Sequence, residues 1–282
     1  MVNISPITLL VDNGSTKVAA TLQLREIAKQ LSERTDQEIY PVSLQHADVI
    51  SVDELGGVEA SIFNVFLHDH LQQGHRAFKI LPLFFGNSRA LTKFIPDVQT
   101  ELEKEFGKFK IQIMDTLYTP PHPVLTSDTV LSDIIYDHIL QTAQTHSLPL
   151  TNIVLVDHGS PSPQITAVRL GVAEEVQDKL GQSVRLEQAV MERREGKQYD
   201  FNGTLLEDWL VAKARQVVSS EERSAIVVLL FSLPGSHAGE GGDIVTICDS
   251  VMQRYPNFKI GISPLVSEHP LLLDILADRL HV

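Results

Sequence analysis

Two histidines and a glutamate stand where a parallel sheet would gather them. His158 follows the apolar run Ile153-Val154-Leu155-Val156-Asp157 and opens the turn Gly159-Ser160-Pro161. Glu192 follows the run 184–191, and His237 closes Leu233-Pro234-Gly235-Ser236-His237 after the run 225–231. Each run reads as a buried strand and each sequel as a loop. With the strands parallel, all three side chains leave one sheet edge, which is where open α/β sheets bind ligands. Two imidazoles and a carboxylate suit a borderline divalent cation such as Co²⁺, Ni²⁺, Fe²⁺ or Zn²⁺. Neutral imidazole also accepts a proton near neutral pH. Spacing alone is a weak signal, because a single loop histidine is more often a surface group than a ligand.

The elements that must position these groups alternate along the chain. Strands are expected at 7–11, 38–44, 77–85 and 110–114. Helices are expected at 18–34, where Leu24, Ile27, Ala28 and Leu31 recur three and four apart, over most of 52–73, around 97–106 and at 130–145. This alternation predicts parallel sheets flanked by helices. The order then repeats. Val11-Asp12-Asn13-Gly14-Ser15 matches Val156-Asp157-His158-Gly159-Ser160 at an offset of 145 residues, and His122-Pro123-Val124-Leu125 matches His269-Pro270-Leu271-Leu272 at 147. The chain therefore reads as an internal duplication of two tandem flavodoxin-like α/β domains, 1–147 and 148–282.

Composition narrows the function. The 282 residues are 43% hydrophobic, enough for real cores. No apolar run approaches the ~20 residues of a membrane span, and Met-Val-Asn-Ile-Ser-Pro lacks the features of a secretory signal. The expectation is a soluble, cytoplasmic protein. A net charge of −13 argues against nucleic acid as a partner. The one cysteine, Cys248, excludes an intrachain disulfide or a multi-cysteine metal site and reads as a core residue. A Gly-x-Ser-x-Gly nucleophile elbow is absent, which disfavours a hydrolase. Gly239-Glu240-Gly241-Gly242 lacks the spacing of a nucleotide loop, so no organic cofactor is expected.

The Asp-His-Gly-Ser turn, the Val-Met-Glu end of the second strand and the apolar strand running to Gly-Ser-His together resemble the CbiX/SirB family of small class II chelatases. The resemblance covers nearly the whole chain in two copies. It implies two chelatase-like units facing across a cleft, insertion of Co²⁺ or Fe²⁺ into sirohydrochlorin or a related tetrapyrrole in cobalamin or siroheme biosynthesis, and a divalent metal as substrate. It assigns His158 and His237 as paired metal-handling and catalytic histidines and Glu192 as their carboxylate, with Glu187 on the same strand as the rival. One duplicated chain equals the family's two units, so a monomer suffices, and a homodimer stays open. Nickel insertion, or a carrier that binds tetrapyrrole or metal without turnover, are the alternative readings.

The first copy departs from the pattern. Asn13 stands at the place of His158, Gln45 near that of Glu192 and Ala90 opposite His237, so a single active centre is expected in the second copy. His46, beside Gln45, reads as a solvated loop residue rather than a displaced ligand. Asp157, before the histidine, either orients the imidazole or bonds its own turn; the survival of Asp12 without a histidine favours the turn. An acidic tetrapyrrole needs local cations on so anionic a protein. Arg193, Arg194 and Lys197 after Glu192, and Arg89 in the first copy, are the candidates for substrate binding.

Overall fold

A computed structural model describes residues 5–119, 129–216 and 223–280. The chain forms two compact units, residues 1–119 with 273–282, and residues 120–272. In the first, β1 (Ile7–Asp12), β2 (Ile39–Ser43), β3 (Ala77–Pro82) and β4 (Lys110–Ile113) pair in the order β2-β1-β3-β4, all parallel. In the second, β5 (Ile153–Asp157), β6 (Leu186–Val190), β7 (Ser224–Leu229) and β8 (Lys259–Ile262) pair as β6-β5-β7-β8, also all parallel. Strand order reverses next to β1 and next to β5, and these are the switch points where such sheets open a crevice.

Both faces of each central strand are covered, so the strands are apolar throughout rather than alternating. Val154, Leu155, Val156, Ile226, Val227 and Val228 are fully buried. Burial of each such side chain contributes about 1.5–3 kcal/mol. Helices α1 (Val18–Thr35), α2 (Phe63–Gln72) and α3 (Ile95–Phe106) cover the first sheet. Helices α4 (Val130–His146), α5 (Pro163–Leu180), α6 (Leu206–Arg215) and α7 (Asp243–Arg254) belong to the second unit. Cys248, buried in α7, is a core residue as expected.

One expectation needs correction. Only 63–72 of the stretch 52–73 is helical. The Arg25 guanidinium donates to the carbonyls of Leu55, Val58 and Glu59 at 2.8–3.0 Å, which holds the preceding segment as a loop. The sequence repeat at 147 also differs from the division into compact units. Helix α4 closes the first copy in sequence, yet it packs on α5, β7 and β8, with Lys179 Nζ 2.6 Å from Asp133 Oδ1. The corresponding helix of the second copy, α8 (Leu271–Leu280), supplies residues 273–280 to the first unit, where Asp274 pairs with Arg34 and Arg279 donates to the Thr116 carbonyl at 3.1 Å. The Leu271 N–H at the start of α8 donates to His269 Nδ1 at 3.2 Å, so that histidine caps the helix. Its sequence counterpart His122 lies outside the described residues.

At β1 and β5 the copies bury the same acid with different partners. Asp157 lies 3.2 Å from Arg169 Nε, whereas Leu24 occupies the place of Arg169 in the first copy. Burial pushes Asp12 up to about 6, offset only in part by the Ser43 hydroxyl and the Gly14 N–H, and its Oδ1 has no hydrogen-bond partner. The folded first unit therefore binds this proton more tightly than the unfolded chain. The resulting stability is present below the unfolded pKa and is lost as pH rises through the folded one. His138, buried in α4 and pushed down to about 4 by burial and then by His269, acts in the opposite sense. The difference between variant and wild type isolates Asp12. In urea unfolding followed by circular dichroism, Asp12→Asn is expected to gain on wild type by on the order of 3 kcal/mol between pH 4 and pH 7; a gain independent of pH would contradict the assignment.

Candidate metal-handling site

The second unit's site is built on one close approach of backbone. Beyond the ends of β5 and β6, Met191 N–H donates to the Asp157 carbonyl at 2.8 Å and Glu192 N–H to the His158 carbonyl at 3.1 Å. Gly159, at φ +91°, lies so near Glu192 that a Cβ there would sit 1.9 Å from its carbonyl oxygen. Only glycine permits both this conformation and this distance. The approach sets His158 beside Glu192, with Nε2 3.4 Å from Oε1.

His237 arrives from the loop between β7 and α7. Its carbonyl accepts the Ile244 N–H at 3.0 Å, and Ser236 accepts that of Asp243 at 3.2 Å, so the loop is tied to the first turn of the helix. The carboxylate of Asp243, favoured at a helix N-terminus, lies 2.6 Å from His237 Nδ1. The His158 and His237 rings meet edge to face, with centroids 4.6 Å apart and planes at 70°.

These contacts assign the tautomers. His158 Nδ1 is 3.0 Å from the Gly159 carbonyl, an acceptor, and His237 Nδ1 faces a carboxylate, so in the neutral rings each Nδ1 carries the proton. Both Nε2 atoms keep a lone pair. At His158 that lone pair faces a carboxylate oxygen, and two acceptors this close call for a proton or a cation between them. Among the described residues no group of three or more His, Cys, Asp or Glu side chains is placed to hold a metal ion. Side-chain exposures of 44% for each histidine and 63% for Glu192 describe an open edge, suited to exchange rather than to permanent enclosure.

A buried guanidinium fixes the loop from beneath. Arg169, 2% exposed, faces Asp157 through Nε, donates to Gln188 Oε1 at 3.0 Å and donates to the Asn202 carbonyl at 2.8 Å. The Asn202 side chain accepts the Ser160 N–H at 3.0 Å and donates to the Ser160 carbonyl at 2.9 Å. Asp157 Oδ1 in turn accepts the Gly159 N–H at 3.2 Å. The chain is thus pinned on both sides of His158. Burial raises the Asp157 pKa, opposed by Arg169 and the Gly159 N–H. This carboxylate bonds its own turn and Arg169 and makes no hydrogen bond to the imidazole, so the turn reading of Asp157 holds.

The remaining expected residues separate by role. Glu187 is held by Lys213 and by Trp209 Nε1 at 3.2 Å; burial alone would raise its pKa, but these donors lower it. It is a structural ion pair, and Glu192 is the carboxylate at the histidines. Arg193 is engaged by Asp200 at 3.3 Å and by the Gly203 carbonyl at 3.1 Å. Arg194 and Lys197 are exposed, with no partner among the described residues. Arg89 lies in the first unit, in that unit's own cleft with Asn13, Gln45 and Ala90. His46 is exposed at φ +69°. Asp243, Arg169 and Asn202 were not foreseen from sequence; only Asp243 leaves a signal there, an acid just after Gly241-Gly242 at a helix start. Removing one member of a buried ion pair destabilises by about 3–5 kcal/mol. Arg169→Met should therefore lower second-unit stability by that order, read from the single tryptophan, Trp209, and Asp157→Asn in the same chain should recover part of the loss; additive losses would show the two groups to be uncoupled.

Comparison with known proteins agrees with this architecture. The family model described as CbiX matches residues 152–281, the span containing His158, Glu192 and His237. Among solved structures, SirB from Bacillus subtilis with Fe³⁺ is similar at 12% identity and a TM-score of 0.64, over 99% of this chain and 95% of that one. The sirohydrochlorin chelatase SirB from Bacillus subtilis subspecies spizizenii in complex with cobalt gives 12% and 0.63 over 99% and 94%. CbiX, described as the terminal enzyme for biosynthesis of siroheme in denitrifying bacteria, gives 15% and 0.57 over 98% of each chain. At these identities the structural likeness concerns the fold. No curated protein sequence matches significantly. Two parallel four-stranded sheets with this strand order give the chain the fold of the SirB and CbiX structures, and its second unit, which carries the paired histidines, matches the family model described as CbiX.

Proposed function

We propose that the second unit inserts a divalent metal ion, Co²⁺ or Fe²⁺, into sirohydrochlorin or a closely related tetrapyrrole. The observation that carries this reading is the edge-to-face pair His158 and His237, each with Nδ1 engaged and Nε2 open. Insertion exchanges two pyrrole N–H protons for one divalent cation, so the site must handle a partly dehydrated metal and accept protons. Neutral imidazole nitrogens suit both tasks. Glu192, 3.4 Å from His158 Nε2, balances charge as metal and protons pass. Asp243, bonded to His237 Nδ1, fixes the tautomer and the orientation of that ring. The metal and the macrocycle are substrates, and an open edge lets both leave.

Recognition of an acidic macrocycle by a chain of net charge −13 falls to local cations. Arg194 and Lys197 are exposed and unpartnered among the described residues, on the same loop as Glu192, and suit this role. Arg193, engaged within that loop, holds its shape.

The first test is anaerobic absorbance of the protein with sirohydrochlorin and, separately, Co²⁺, Fe²⁺ and Ni²⁺, against the spontaneous rate. Turnover beyond one equivalent is expected, and the rates rank the metals. A shift that stops at one equivalent would replace the enzyme with a carrier. His158→Ala and His237→Ala should each lower the insertion rate by at least about 100-fold with an unchanged circular dichroism spectrum, while His46→Asn leaves the rate within about twofold. Equal losses in all three variants would remove the single-centre reading.

A further inference from the structure

The first unit keeps a cleft at its own switch point, although the ligand positions of the second copy are lost there. Its volume is about 320 Å³, and it is lined by Asn13 after β1, Gln45 after β2, and Arg89, Lys93, Phe94 and Asp97 on the stretch that follows β3. The backbone beneath it is the one described for the second unit. Leu44 N–H donates to the Asp12 carbonyl at 3.0 Å, Gln45 N–H donates to the Asn13 carbonyl at 3.3 Å, and a Cβ on Gly14 would lie 1.7 Å from the Gln45 carbonyl oxygen. The loop that held an imidazole and a carboxylate here holds two primary amides.

The charges differ accordingly. Lys93 is paired with Asp97 at 2.6 Å, which leaves Arg89 as the unpaired cation on the cleft among the described residues. The side chains of Arg89, Asn13 and Gln45 make no hydrogen bond or ion pair among the described residues, so three donor groups converge on one space with their capacity unused. Arg89 directly precedes a π-helical turn, Ala90–Phe94, that leads into α3. Such turns are uncommon and recur at functional sites. A guanidinium fork with two amide donors matches the planar, two-oxygen geometry of a carboxylate, and no pair of imidazoles is present to hold a metal.

We propose that this cleft binds a carboxylate group. A volume near the bottom of the ~300–1,000 Å³ range of small-molecule pockets accommodates an acetate or propionate group or a small free polycarboxylate. The group is either an arm of the macrocycle, which rests on the chelatase reading, or a free small carboxylate, which does not.

Calorimetric titration of the full chain with uroporphyrin, a metal-free ring bearing acetate and propionate arms, and separately with tricarballylate distinguishes these sources. Arg89→Gln is expected to weaken binding about tenfold or more, Arg89→Lys to restore part of it, and Lys108→Gln, on an exposed pair with Glu103, to leave it unchanged. A loss confined to uroporphyrin assigns the cleft to a macrocycle arm; a loss for tricarballylate assigns it to a free carboxylate. If Arg89→Gln binds both probes as the wild type does, or the wild type binds neither, the cleft is not a carboxylate site. Metal insertion by the His158 and His237 variants is read separately, so failure here does not count against the chelatase, nor failure there against the tricarballylate result.

Discussion

The constraint on which the site depends is a backbone contact that excludes every side chain. Where the turn after the first strand of each copy touches the residue after the second, an added Cβ would stand 1.7 Å from the Gln45 carbonyl oxygen at Gly14 and 1.9 Å from that of Glu192 at Gly159. This contact decides which residues become neighbours, Asn13 with Gln45 and His158 with Glu192. The chemistry of each pair is then free to differ because the geometry does not rely on it. A scaffold held by main-chain hydrogen bonds and a missing Cβ tolerates replacement of the ligands it presents.

What accompanies the replacement is electrostatic. The second unit lays a buried network, Arg169 with Asp157, Gln188 and Asn202, under the loop that carries His158. The first keeps the acid and puts Leu24 where the cation stood, leaving a carboxylate whose pKa burial raises to about 6. Low dielectric makes a satisfied network rigid and an unsatisfied group unfavourable. The unit with the paired histidines is the one whose buried acid has a cation beside it. Precision of the loop that carries His158 is a physical reason to retain it.

The parts of this arrangement that are local in sequence were legible there. Strands end in turns that any reader of Val-Asp-His-Gly-Ser can mark, and a parallel sheet puts the ends of alternate elements on one edge, which sufficed to bring His158, Glu192 and His237 together. Two glutamates on one strand could not be told apart, because Lys213 and Trp209, which engage Glu187, sit on a helix whose packing the sequence does not state. Arg169 was invisible for a related reason. An arginine inside an amphipathic helix reads as solvated, and its burial follows only once Asp157 and Asn202 are placed around it. The stretch 52–62 has a helix-like pattern that Arg25 overrides by holding three of its carbonyls.

The passage of α8 into the first unit sets an order of events in synthesis. Domains generally fold from the N-terminus as the chain emerges. Here residues 120–272 form one unbroken compact unit, whereas the first unit needs residues 273–282 besides its own 1–119. The ribosome therefore delivers a complete second unit before the first can be finished. The copy made first is the last to close, and until then Arg34 and the Thr116 carbonyl wait for their partners on α8.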